Sequence, residues 1–133
     1  MSNPAVRDEI RRIVEHWLDL GVAGFRVDAV PYMVAQAAEA DPRDDGFWLF
    51  EEIRQLVHAR RPDAVLIAEA DVEPAQYADY FGAGNRFSML LDFWLNSHLY
   101  LALAREAAEP LLRRADHPAD AADSHRCWLI RGG

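Results

Sequence analysis

The sequence predicts an α/β fold of parallel βα units, and three observations carry that expectation. Short apolar, β-prone runs lie at residues 23–30 and 64–68, the first between Gly21 and Pro31 and the second after Arg61-Pro62-Asp63. Stretches with apolar residues at three- and four-residue steps separate them. The resulting order, α-β-α-β-α-β-α, implies a parallel sheet with right-handed crossovers, a grammar shared by doubly wound sheets and (β/α)8 barrels.

Residues 3–20 read as an amphipathic helix. Asn3 can cap it, Pro4 suits the first helical position, and Asp8 and Glu9 lie toward the positive end of the dipole. Ile10, Ile13, Val14, Trp17 and Leu18 form one apolar stripe, and Gly21 closes the helix. Ala23 to Val30 is the first strand. Residues 31–47 follow it and end near the turn-forming run DPRDDG. Phe50, Ile53, Leu56 and Val57 mark a second helix, stopped near Arg60 by Arg61-Pro62-Asp63. Ala64 to Ala68 is a second buried strand ending at Glu69. PAQYADYFG reads as a short helix and turn, FSMLLDF at 87–93 as a third strand, and 96–114 as a final helix.

Bulk properties narrow the function classes. A chain of 133 residues fits one small domain or a piece of a larger one. A net charge of −8, with no clustered arginine run, excludes a nucleic-acid partner, because neutralising phosphates needs a basic face. No apolar stretch approaches the roughly 20 residues a membrane helix requires. The N-terminus MSNPAVRDEI lacks the pattern of a signal peptide, and Cys127 is the lone cysteine, so a reducing cytoplasm is the expected address. No Gly-rich phosphate loop follows either early strand, which argues against a dinucleotide site.

The stretch GVAGFRVDAVPYM, residues 21–33, places Arg26 and Asp28 two apart in an apolar run. Alternation along a strand puts both on one face, with Phe25, Val27 and Ala29 on the other. Glu69 ends the next strand, so two carboxyl groups are expected at the functional, carboxyl end of neighbouring parallel strands. Glycoside chemistry needs such a pair, about 5–5.5 Å apart in retaining enzymes, with one ionised as nucleophile and one protonated as acid. Arg26 would keep Asp28 ionised, and the apolar flanks of Glu69 would favour its neutral form. The plainer alternative is a structural Arg26–Asp28 pair beside a loop-capping Glu69.

At this point the residues resemble a known family. GFRVDAV is similar to the strand-four motif of the α-amylase superfamily and VLIAEA to its strand-five motif, behind a helix reading NPAVRDEIRRIVEHWLDLG. GFRVDAVPYM and YFGAGNRFSMLLDFWLNSHLYLALARE look most like its trehalose synthase branch. The resemblance covers about residues 3–112 and implies a partial (β/α)8 barrel of about three βα units, strands four to six. It implies Asp28 as the nucleophile, Glu69 as the general acid/base, and Arg26 as the residue that orients Asp28 and reaches the sugar. Maltose or a short α-glucan is the implied substrate, handled without a cofactor, although calcium is possible in a longer parent. An α-glucosidase or α-amylase hydrolase is the alternative, and a non-catalytic truncated remnant is another.

The family's strand-three motif, with its Asp and Asn-His, is expected upstream of residue 1, and its strand-seven Asn-His-Asp does not occur in these residues. Residues 113–133 lose the resemblance and read as a divergent tail, as a frameshift or premature stop would produce. Three strands cannot close a barrel, so the isolated chain is expected to be inactive. Trp17, Trp48 and Trp94 read as core residues. His98, His117, His125 and Cys127 match no metal-site spacing. Asp41, Asp44 and Asp45 read as a solvated loop, with calcium a lesser alternative.

Overall fold

The computed structural model describes residues 3–40, 45–115 and 126–127. The chain runs α1 (Pro4–Asp19), β1 (Gly24–Val27), α2 (Val30–Ala40), α3 (Trp48–Arg60), β2 (Val65–Ala68), a 3-10 turn (Pro74–Gln76), α4 (Tyr77–Phe81), β3 (Met89–Leu91), α5 (Phe93–Arg105), α6 (Glu109–Ala115) and β4 (Arg126–Cys127). The strands form one parallel sheet in sequential order, β1-β2-β3-β4. Sequential order with all strands parallel is the topology of consecutive βα units in a barrel wall.

Helix α1 starts as its sequence dictates. The Asn3 side chain accepts the Ala5 N–H at 3.0 Å, and Pro4 opens the first turn. Val14 and Leu18 are buried, but Ile13 and Trp17 from the same stripe are each 48% exposed. The expectation that Trp17 belongs to the core is therefore corrected: one edge of the stripe faces α3, while Trp17 on the other stays half exposed against the His16 ring, with centroids 5.7 Å apart. Trp48 is half-buried beneath the Arg7 guanidinium, 4.4 Å from the ring centroid. Trp94 is half-buried against the His98 ring, with centroids 4.1 Å apart.

The sheet has two unlike faces. Leu66, Ala68 and Leu90 point into a core completed by Val14 and Leu18 of α1, Phe50, Ile53 and Val57 of α3, and Tyr77 and Tyr80 of α4. On the other face Arg26, Ile67 and Met89 stand in one register row and are exposed or half-buried. Gly24 lets β1 and β2 approach: a Cβ there would lie 2.2 Å from the Val65 carbonyl oxygen. At the start of β3 the Ser88 hydroxyl accepts the Leu66 N–H at 3.1 Å and an Arg54 N–H at 2.5 Å, tying α3 to the sheet.

Four differences from the sequence reading have physical causes. The first strand ends at Val27, because Ala29 turns into the left-handed region at φ 50°. Pro31 then sits in the first turn of α2, where its missing N–H costs no helical bond, so it opens a helix that the sequence reading left unassigned. The helix expected over 96–114 begins earlier, at Phe93, and is split at left-handed Glu106. Pro110 explains the split, since inside a continuous helix its ring would clash with the carbonyl of residue 106. Finally, residues 126–127 of the expected divergent tail pair with β3, giving a fourth strand where three were expected. Most of that tail lies outside the described residues.

Candidate active site

The site is assembled by strand register. Val27 pairs with Ala68, so the next residues, Asp28 and Glu69, emerge side by side at the carboxyl ends of β1 and β2. Backbone bonds lock the junction: Glu69 N–H donates to the Val27 carbonyl at 2.9 Å, and Val30 N–H donates to the Glu69 carbonyl at 3.1 Å. The turn through Ala29 directs its own N–H onto Glu69 Oε2 at 3.3 Å. A non-glycine residue at positive φ is held against a local energy cost, here inside the turn that carries Asp28.

Arg26 joins the two acids. Its Nη1 lies 2.8 Å from Asp28 Oδ1 and its Nη2 lies 2.6 Å from Glu69 Oε1. The side chains are 49%, 72% and 27% exposed for Arg26, Asp28 and Glu69, so the group opens to solvent. The three residues singled out from sequence thus come together. One expectation is corrected: Glu69 does not sit in an apolar environment. Its carboxylate accepts from a guanidinium and a backbone amide, because the register brings Arg26 within reach of both strand ends.

A third carboxylate escaped the sequence reading. Asp92 follows β3 at the same end of the sheet and is 3% exposed. Its Oδ1 accepts the Tyr77 hydroxyl at 3.0 Å and the Leu95 N–H at 2.8 Å, so it caps α5. An Asp before a helical apolar run is a readable cap signal, but placing the helix start at Asn96 hid it. His98 Nδ1 bonds the Trp94 carbonyl oxygen at 2.8 Å. Of the acidic loop, Asp41 and Asp44 lie outside the described residues, while Asp45 accepts the Phe47 N–H at 3.0 Å and pairs with Arg86. His117 and His125 are also outside the described residues.

Comparison with known proteins decides the family. Residues 1–117 match the alpha-amylase catalytic domain. This chain belongs to the alpha-amylase catalytic-domain family. The trehalose synthase/amylase TreS of Mycolicibacterium smegmatis is 34% identical over 117 residues, covering 83% of this chain and 19% of that protein. The trehalose synthase of Thermus thermophilus is 31% identical over 112 residues, covering 83% of this chain and 12% of that protein. A 31-residue stretch is 58% identical to the salivary alpha-glucosidase of Aedes aegypti. Among solved structures, the cyclic alpha-maltosyl-(1→6)-maltose hydrolase of Arthrobacter globiformis, in complex with maltose, superposes with TM-score 0.70 at 20% identity. That match covers 97% of this chain and 27% of the hydrolase, and it supports the barrel-type fold alone. The chain spans about a fifth of the length of the trehalose synthase/amylase relative. No helix among the described residues is long and apolar enough to cross a membrane.

Proposed function

We propose that this chain carries the nucleophile and the acid/base of a retaining, trehalose synthase-like enzyme of carbohydrate metabolism, acting on maltose or a short α-glucan in the cytoplasm. The observation that carries the proposal is the placement of Asp28 and Glu69 on adjacent strand ends, bridged by Arg26 on an open face. In this reading the Asp28 carboxylate attacks the anomeric carbon as Glu69 protonates the departing glycosidic oxygen, leaving a glycosyl ester on Asp28. Glu69 then takes a proton from the incoming hydroxyl, and that oxygen displaces Asp28 with overall retention. Arg26 orients Asp28 through their 2.8 Å ion pair. For Glu69 to act as the acid, its contact with Arg26 must loosen as the sugar enters.

Isomerisation and hydrolysis differ only in the acceptor. With the retained glucose as acceptor, maltose becomes trehalose; with water, the products are free sugars. The short, high-identity match to an alpha-glucosidase keeps the hydrolytic reading in play. The chemistry calls for no cofactor, and a calcium ion would belong to a longer parent. The isolated chain, which lacks the family's strand-seven Asn-His-Asp, is proposed to be inactive on its own.

The test uses a complete catalytic domain containing this stretch. Asp28→Asn is expected to lower turnover of maltose about 10³-fold or more, and Glu69→Gln similarly. Undiminished turnover in Asp28→Asn removes it from the nucleophile role. Trehalose as the main product of the unaltered domain supports the isomerase reading, and glucose as the main product supports the hydrolase.

A further inference from the structure

We infer that a β-bulge at Ala29 positions Glu69 for proton transfer, its backbone amide holding Oε2 and leaving Oε1 to carry the proton. The inference rests on the proposed reading of Glu69 as the acid/base. Its basis is the ladder between β1 and β2. Val65 N–H donates to the Ala23 carbonyl and Glu69 N–H to the Val27 carbonyl, so odd-numbered residues of β1 face β2. A regular parallel ladder sends the next amide, Ala29 N–H, to the Glu69 carbonyl oxygen. That bond is made instead by Val30 N–H, at 3.1 Å. One residue has been inserted at the strand end, and it is Ala29, at φ 50°.

The insertion releases one amide from the ladder, and that amide donates to Glu69 Oε2 at 3.3 Å. Residue 69 therefore takes donors from two consecutive residues, Val30 on its carbonyl and Ala29 on its carboxylate. The Ala29 carbonyl is engaged as well, accepting the Tyr32 N–H at 3.2 Å as α2 begins. Rotating Ala29 out of the left-handed region disturbs the helix start together with the contact to Glu69. A left-handed alanine is intrinsically disfavoured, and such residues persist where their surroundings over-determine them.

The two donors on the Glu69 side chain differ in kind. Arg26 Nη2, 2.6 Å from Oε1, ends a long, half-exposed side chain that can swing. The Ala29 amide belongs to the backbone and is held by the bulge. When Arg26 loosens, the amide still grips Oε2, and because an N–H only donates, the carboxyl proton is directed to Oε1. From Oε1 it passes to the glycosidic oxygen as the bond from that oxygen to the anomeric carbon breaks and the bond to Asp28 forms. In the second half of the reaction the acceptor hydroxyl gives its proton back to Oε1 while its oxygen displaces Asp28. Ala29 is thus a positioning residue that acts through Glu69.

The test uses a complete catalytic domain containing this stretch, with Ala29 replaced by L-lactate, which sets an ester oxygen in place of the N–H. On maltose, whose departing sugar needs a proton, kcat/KM should fall about tenfold or more. α-Glucosyl fluoride loses fluoride without a proton from the acid, so its kcat/KM should stay within about twofold. Glu69→Gln is the reference and should show the same selective loss, only larger. If the ester loses both substrates equally, or neither, while Glu69→Gln remains selective, the inference is overturned and the acid/base reading stands. If Glu69→Gln itself is unselective, the acid/base reading fails and the inference falls with it. A second measurement leaves Ala29 untouched. In Glu69→Ala, hydrogen exchange at the Ala29 amide should quicken about tenfold or more, while the Val30 amide, bonded to the backbone, stays protected. An Ala29 amide no faster than in the unaltered domain, or both amides equally quickened, also overturns the inference.

Discussion

Two arginines in this molecule each span two carboxylates, and they do so to different ends. Arg86 pairs with Asp45 at 2.5 Å and with Glu51 at 2.9 Å, donates to the Asp79 carbonyl at 2.7 Å, and lies 4.3 Å over the Phe47 ring. It is 14% exposed. Burial alone would push its guanidinium pKa down, but the bonds and charges of Glu51 and Asp45 outweigh that and raise it. Arg26 makes the same kind of ionic contacts at the strand ends, but faces solvent. Arg86 is therefore a staple that fixes the approach to α3 and the turn before β3. Arg26 holds two acids at solvent-facing strand ends. An arginine bridge does not by itself mark a site; the two bridges differ in exposure and in position relative to the strand ends.

The comparison can be broken or sharpened by experiment. The largest loss of stability is expected at neither arginine but at Gly24→Ala. The new methyl meets Val65 backbone at 2.2 Å, so β1 must shift away from β2 at a cost of about 3 kcal/mol, read by denaturant melting. If Gly24→Ala melts like the unaltered chain, the close approach of β1 to β2 is not required. Arg86→Ala comes next, at about 2 kcal/mol, because it strands Glu51 and uncovers Phe47. Arg26→Ala should cost less than about 1 kcal/mol in the same assay, since Arg26 and Asp28 are open to water. In a complete catalytic domain, however, that variant should lose most turnover. Equal stability losses for Arg26→Ala and Arg86→Ala would erase the distinction between staple and site.

The smallest expected effect is a pH dependence seated away from both arginines. Burial of the Glu52 carboxyl would raise its pKa, but hydrogen bonds and charge from Arg7 and Arg11 prevail and lower it. Burial and the nearby Arg54 charge lower the pKa of His58. Both folded values lie below the unfolded ones, so both contributions are complete above the unfolded pKa and are lost as pH falls through the folded one. The melting temperature should decline first below the ordinary imidazole range and again below the ordinary carboxylate range. Glu52→Gln should flatten the second step and leave the first. A melt independent of pH through both ranges would show that neither group is linked to folding.

Much of the site was legible because its residue types are improbable where they stand. Arg26 and Asp28 interrupt an apolar strand, and Glu69 ends another, so strand position alone brought them to one end of the sheet. What could not be read was their mutual contact. The Arg26–Glu69 pair depends on the β1–β2 register, which no local pattern specifies. The core strands were recognisable from short runs such as AVLIA, whereas β4 leads into the apolar run CWLI, residues 127–130, inside the stretch set aside as a divergent tail. Pro31 misled in one direction and Pro110 in the other. The first looked like a stop and opens a helix; the second sat inside an expected helix and divides it. Trp17 shows a further limit, since periodicity reports an apolar face without saying whether anything covers it.

At this end of the sheet one guanidinium answers two carboxyl groups, and the buried Asp92 adds a third acidic side chain. An uncharged sugar feels no net force from that field. A phosphorylated sugar is repelled by it. In the proposed reading, a site of this make-up is expected to accept neutral saccharides in preference to their phosphate esters.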